Sequence, residues 1–304
     1  APADELPDAL EQCFNVARQQ SAPVQNAVAA AADHSTNPYQ PFTLERGLLR
    51  FWISQHRLPE AAVAWAALAR VRLPPSAAEQ VQVAQQLRRD ATAYLISLVA
   101  ADLPEQAARV WSEGVQRGLF DPREGPGLSD YVTNGDFVGE LAPGPLNWQV
   151  CSACGPWISR IALEAPLVSV TKVRRQALSV EFRGGSPGNP LLQQSILLEP
   201  STAYELSAYS MRTDAGQQTG VSLQLVNQRQ RVCARLNLPR AGRFVRQAAT
   251  LTTGRSREIY TLEIDYDRPI GQMLLRGTQL LTGISLRRAP VVIPLDSRKI
   301  GDGC

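Results

Sequence analysis

Histidine and lysine are nearly missing from this 304-residue chain. It has two histidines, His34 and His56, and two lysines, Lys172 and Lys299, against 29 arginines. No imidazole follows residue 56, so a histidine-based acid–base site or nucleophile triad is excluded from the rest of the chain. Long apolar runs are missing as well. The longest, Ala61 to Ala69, is nine residues, six of them alanine, where a membrane-spanning helix needs roughly 20. No glycine-rich phosphate loop opens a helix. What is present is 44% hydrophobic and 19% charged residues, a balance that excludes intrinsic disorder. The length suffices for two domains with separate cores. The sequence reads as a soluble, folded chain without a membrane span.

Five cysteines, Cys13, Cys151, Cys154, Cys233 and Cys304, form an odd set, so at least one thiol stays free or pairs between molecules. The chain begins Ala1-Pro2-Ala3 without methionine, as a mature protein does after a signal peptide is removed at small residues. The expected compartment is therefore secreted, extracellular or periplasmic, where disulfides persist.

Composition changes sharply near residue 125. Residues 1 to 125 hold 25 alanines and four glycines; the remainder holds 13 alanines and 17 glycines. Helix formers give way to turn formers across Asp121-Pro122-Arg123-Glu124-Gly125-Pro126-Gly127, a segment suited to a linker. Apolar spacings of three and four predict helices over 4–20, 24–33, 43–55, 60–71, 76–101 with a break near Gln86, and 105–118. Leu58-Pro59-Glu60 and Leu103-Pro104-Glu105 repeat a helix-start signal 45 residues apart, followed by Trp65 and Trp111. With small residues such as Ala62, Ala66, Ala107 and Ala108 at the expected contacts, this helical hairpin resembles tetratricopeptide-type repeats over about 43–118. The resemblance implies protein contact rather than catalysis.

The remainder alternates with period two. Leu178 to Arg183 and Tyr260 to Tyr266 are the clearest half-buried strands. Similar runs fall near 147–150, 157–163, 192–199, 203–211, 221–227, 230–237, 243–252, 270–275 and 279–287, with turn residues between them. About ten strands with no intervening helix predict an antiparallel sandwich. Asn134-Gly135-Asp136-Phe137, Trp148, the stretch Leu198-Glu199-Pro200-Ser201-Thr202-Ala203-Tyr204-Glu205-Leu206-Ser207 and the closing Gly283-Ile284-Ser285-Leu286 together resemble galactose-binding-like jelly rolls, a group that includes many carbohydrate-binding modules. That resemblance implies a sandwich over about 130–288 and a glycan as a candidate ligand. Members of the group often hold a structural calcium. Val138 after the opening motif and the acid-free Leu281-Thr282-Gly283-Ile284 remove carboxylates that such a site uses, so no metal is expected.

Sugar rings stack on exposed aromatics. Alternation assigns Tyr260 and Tyr266 to the core with Leu262 and Ile264, leaving Trp157, beside Gly155-Pro156, and then Tyr209 as candidates ahead of Trp148 and Tyr131. Arg229, Arg231, Arg235, Arg240, Arg243, Arg246, Arg255 and Arg257 follow one another with no acidic residue among them. Net charge is accordingly split, −3 over residues 1–125 and +6 over the rest. A basic sheet face, with Arg229, Arg231 and Arg235 as its candidate glycan contacts, suits an acidic polysaccharide, an anionic surface or the acidic helical part of another copy. Nucleic acid is not expected, since no aromatics interleave the basic run.

Cys151-Ser152-Ala153-Cys154 lacks the second pair of a zinc site and the setting of a thioredoxin-type motif. Alternation over Val232 to Leu236 places Cys233 outward with the arginines. A disulfide joins Cys233 to Cys151 or Cys154, or those two close their own loop; Cys13 and Cys304 are the candidates for a free or intermolecular thiol. Glu263 and Asp265 share a strand face, as would Glu181 and a partner opposite it. These carboxylates carry the enzymatic alternative, a carbohydrate-active hydrolase. Pro290-Val291-Val292-Ile293-Pro294-Leu295 is an apolar extended tail that folds back or docks on another subunit.

The sequence thus predicts α and β domains in series. Helical repeats occupy 1–120, a linker 121–132, an all-β antiparallel jelly roll 133–289 and a tail 290–304. The expected role is that of an extracytoplasmic, non-enzymatic structural or binding protein without a cofactor. It self-associates through the repeats and the tail, into a filament if the contact does not close, and its jelly roll is a candidate polysaccharide binder. A monomeric carbohydrate-binding accessory protein is the alternative.

Overall fold

In the computed structural model the described residues are 43–69, 77–120, 130–141, 146–154, 157–168, 173–183, 188–213, 220–239, 241–267 and 276–289. The chain divides into two compact units, Ala1–Phe120 and Asp121–Cys304.

The described part of the first unit is four helices. α1 (Thr43–Ser54) packs on α2 (Leu58–Ala69), and α3 (Ala77–Ala100) packs on α4 (Pro104–Gln116). The two corners are built alike. At the first, the amides of Gln55, His56 and Arg57 donate to the carbonyls of Phe51, Ile53 and Trp52; at the second, Ala101, Asp102 and Leu103 donate to Ser97, Val99 and Leu98. His56 and Asp102 take the left-handed conformation that such helix ends require, at φ of 56° and 58°. Buried residues repeat with the same offset: Leu48 with Tyr94, Leu49 with Leu95, Trp52 with Leu98, Ala61 with Ala107, Trp65 with Trp111. The structural interval is therefore one residue longer than that of the Leu-Pro-Glu signals. Proline enters the second position of α2 but the first of α4.

α3 runs unbroken, contrary to the break expected near Gln86. It contains neither proline nor glycine, and Leu87, Ala91, Tyr94, Leu95 and Leu98 form one continuous buried stripe. Gln86 accepts a hydrogen bond from Arg46, whose guanidinium also meets the buried Asp90 together with Arg50. The polar residue that suggested a break thus completes an ion-pair cluster between α1 and α3. Trp65 Nε1 donates to Glu113 at 2.7 Å, joining the two hairpins. The helices expected at 4–20 and 24–33 lie outside the described residues.

The second unit is a sandwich of two five-stranded antiparallel sheets. Its strands are β1 (Gln149–Val150), β2 (Ile158–Val168), β3 (Val173–Arg183), β4 (Leu192–Leu197), β5 (Ala203–Arg212), β6 (Val221–Val226), β7 (Val232–Asn237), β8 (Val245–Thr252), β9 (Ile259–Tyr266) and β10 (Arg276–Arg288). One sheet has the order β1-β4-β9-β6-β7, the other β2-β3-β10-β5-β8. The run expected near 270–275 falls outside the described residues. Inward side chains of both sheets, including Leu178, Val180, Leu192, Tyr204, Leu223 and Leu262, make a single core.

The opening motif locks onto the closing strand. Asn134 and Phe137 take positive φ values of 52° and 54°, which turns the fully buried Phe137 onto Trp148, 5.9 Å between ring centroids. A Cβ on Gly135 would lie 1.9 Å from the Ile284 carbonyl oxygen, and the Ile284 amide donates to the Gly135 carbonyl at 2.9 Å. Only glycine permits this approach. Upstream, Asp130 accepts from Ser285 Oγ at 2.6 Å and from the Leu286 amide at 2.9 Å.

Candidate functional site

The five residues expected to contact sugar do not meet on one surface. Tyr209 projects from β5 on the outer face of the β2-β3-β10-β5-β8 sheet, opposite Thr282 and Arg246. Trp157 precedes β2, at the edge of that sheet, its amide donating to the Cys154 carbonyl at 2.9 Å. Arg235 lies on β7, at the edge of the other sheet. Arg229 and Arg231 belong to the β6–β7 turn, where both amides donate to Asn227 Oδ1 and Gln230 takes a φ of 59°. Trp148 and Tyr131 are core residues. Trp148 is buried against Phe137, and Tyr131 packs edge-on against Tyr204 at 5.1 Å.

The arginine run is not one open basic surface either. Arg257 makes two contacts to Glu199, at 3.2 and 2.7 Å, and Arg246 pairs with Glu205. These acids come from β5 and the segment before it, far away in sequence, so a charge run without acidic neighbours finds its counterions through the fold.

The cysteine alternatives resolve into one. Cys151 and Cys154 bond to each other across a turn, with Cα atoms 5.1 Å apart. Gly188 lies under this bridge, where a Cβ would come within 2.8 Å of Cys151 Sγ. β1 and β7 are opposite edges of their sheet, which separates this pair from Cys233. Cys233 is itself disulfide-bonded. Its side chain also corrects the alternation argument. The ladder pairs Leu225 with Ala234 but Val226 with Val232, so Cys233 is the extra residue of a β-bulge. The bulge turns Val232 outward, 44% exposed, and packs Cys233 partly against the core. Cys13, Cys304 and the tail residues Val291, Val292, Ile293 and Leu295 lie outside the described residues.

The register of the β1-β4-β9-β6-β7 sheet brings together a row that no stretch of sequence displays. Gln149 pairs with Gln193, Gln193 with Glu263, Glu263 with Gln224, and Gln224 with Arg235. This crosses all five strands on the outer face. Gln193 Nε2 donates to Gln149 Oε1 at 3.3 Å, and Gln224 Nε2 to Glu263 Oε2 at 3.0 Å. One row further along, Asp265 pairs with Ser222 and Ser222 with Asn237. Ser222 is 2% exposed, and its Oγ has no hydrogen-bond partner among the described residues. Asp265 is 9% exposed. Burial, and then repulsion from Asp265, push the Glu263 carboxyl above its usual range against the opposing hydrogen bond from Gln224. The face therefore presents recessed amides, a hydroxyl and two carboxylates, with Arg235 at the rim.

Glu263 and Asp265 were visible from alternation, and so was Arg235. Gln149, Gln193, Ser222, Gln224 and Asn237 were not singled out. Their strands read correctly as half-polar, but which polar positions share a row depends on strand order and register.

Hydrolysis of a glycosidic bond needs two carboxyl groups on either side of it. Glu263 and Asp265 stand side by side on one strand, and Glu181 lies on the other sheet, paired with Arg183. The two expected carboxylate sets do not face each other. In the loop after the opening motif, the Gly139 carbonyl accepts from Asn134 Nδ2 at 3.0 Å and from Arg160 at 2.6 Å. Among the described residues no three His, Cys, Asp or Glu side chains gather as a metal site, and no helix is long and apolar enough to cross a membrane.

No protein-family model matches the sequence, and no curated protein matches it. Solved structures do. The chain is similar to a CBM4 carbohydrate-binding module at 13% identity, over 52% of this chain and 99% of that one, with a TM-score of 0.34. A family 16 carbohydrate-binding module aligns at 15% identity over 46% of this chain and 89% of its own, TM-score 0.32. A module from Cellvibrio mixtus lichenase 5A, solved with cellotriose, aligns at 9% identity over 48% and 98%, TM-score 0.26. At these scores the likeness says nothing about a ligand for this chain.

Proposed function

We propose that the second unit is a non-catalytic glycan-binding module whose site is the outer face of the β1-β4-β9-β6-β7 sheet. The observation that carries this reading is the row Gln149, Gln193, Glu263, Gln224 and Arg235, extended by Ser222 and Asp265. Side chains of this kind, recessed and regularly spaced across a sheet, match the alternating hydroxyls along a sugar chain. A buried hydroxyl left without a partner costs stability unless a ligand satisfies it. Binding here is by hydrogen bonding, with Trp157 and Tyr209 outside the row.

The test is retention of the protein on immobilised or gel-embedded polysaccharides. Gln193→Ala and Gln224→Ala should each weaken retention about tenfold, the loss of one or two hydrogen bonds. Tyr209→Ala, on the other sheet, should leave it unchanged. Absence of retention on every polysaccharide tried would overturn the reading.

The helical hairpins serve this module as a protein-contact platform in an extracytoplasmic setting, a view supported by the oxidised Cys151–Cys154 pair. Self-association is part of the proposal. Light scattering with and without reductant checks it, and a chain that stays monomeric at all concentrations rejects it.

A further inference from the structure

Resting on the glycan-binding reading, the charge of the same face narrows the kind of glycan. Glu263 and Asp265 are two residues apart on β9 and leave the sheet on the same side. Gln224 gives Glu263 one neutral N–H. Asp265, nine-tenths buried, accepts no hydrogen bond from a described residue, and beside it Ser222 Oγ is enclosed and unpartnered. The nearest cation in the row is Arg235, on the rim strand β7, with β6 between it and Glu263. Among the described residues, the centre of the face is a carboxylate pair answered by one amide, that of Gln224 on Glu263.

Such a pair is costly to keep recessed and is best answered by a ligand cation held at hydrogen-bonding distance. We infer that this face takes a glycan carrying protonated amino groups, a de-N-acetylated amino sugar chain, whose ammonium donates to Glu263 and Asp265 while Ser222, Gln224 and Gln193 meet neighbouring hydroxyls. An acidic polysaccharide, the ligand the arginine run suggested, would set its carboxylates against these two. A neutral chain would offer only hydroxyls, whose hydrogen bonds to a carboxylate are weaker than those of an ammonium.

The experiment is calorimetric titration of the whole chain, at mildly acid pH, with glucosamine oligomers, cello-oligosaccharides of equal length and oligogalacturonate. The amino oligomer should bind at least about tenfold tighter than the neutral one. Glu263→Gln and Asp265→Asn should each bring that ratio close to unity while the neutral oligomer still binds. Glu205→Gln, which removes a carboxylate from the other sheet's face, should leave the ratio unchanged. Equal or tighter binding of the neutral or acidic oligomer overturns the amino-sugar inference and leaves glycan binding standing. The same holds if neither substitution on β9 moves the ratio, or if Glu205→Gln lowers it equally, which would mark general charge attraction. If none of the three oligomers binds, both readings fall.

Discussion

The two outer faces of the sandwich carry charge in opposite ways. On the β2-β3-β10-β5-β8 sheet Glu181 pairs with Arg183 and Glu205 with Arg246 where they stand, their side chains exposed. On the β1-β4-β9-β6-β7 sheet Glu263 and Asp265 are recessed, and the Gln224 amide answers Glu263 alone. Exposed pairs exchange water for one another at little gain and leave nothing for a ligand to do. A recessed, incompletely answered pair stores a preference for whatever completes it. The difference identifies the working face more clearly than the number of charges does.

The largest effect on this contrast comes from beneath both faces. Gly135→Ala forces a methyl into the Ile284 carbonyl and should cost about 3 kcal/mol or more, enough to unfold much of the unit; loss of cooperative thermal unfolding is the readout. Arg257→Ala breaks a two-contact, half-buried pair with Glu199 and should cost about 1–3 kcal/mol, seen as a lower denaturation midpoint. Next comes the working face. A carboxyl whose pKa is raised by folding binds its proton more tightly in the native state, so native stability falls as pH rises through that pKa. Glu263→Gln removes this penalty and should raise the melting temperature by about 1–3 °C at neutral pH, with the gain vanishing in acid. A drop at neutral pH would mean that Glu263 is already compensated, and the contrast would collapse. Smallest of all, Arg246→Gln on the paired face should change stability by less than about 1 kcal/mol, and its screening by salt can be measured in the same melts.

Much of the fold could be read from the residues because it follows from local rules. Apolar spacing in α1 to α4 and alternation in β3, β5 and β9 report on burial directly, and the proline–glycine segment marks where one rule replaces the other. Local rules failed where a distant partner decides. Gln86 looked like a helix break until Arg46 was placed against it, and Cys233 looked outward until a bulge exchanged the sides of Val232 and Cys233. The arginine run looked basic until Glu199 and Glu205 arrived from another part of the chain.

By itself, then, the sequence determined the two classes of structure, the near absence of histidine chemistry and, where no bulge intervenes, the side of a strand that faces water. Only the tertiary structure decided which water-facing side chains stand together. Strand order and register are set by the packing of Phe137, Trp148 and the rest of the core, and not by the polar residues that ride on it. Gln149 and Arg235, 86 positions apart, end one row for that reason.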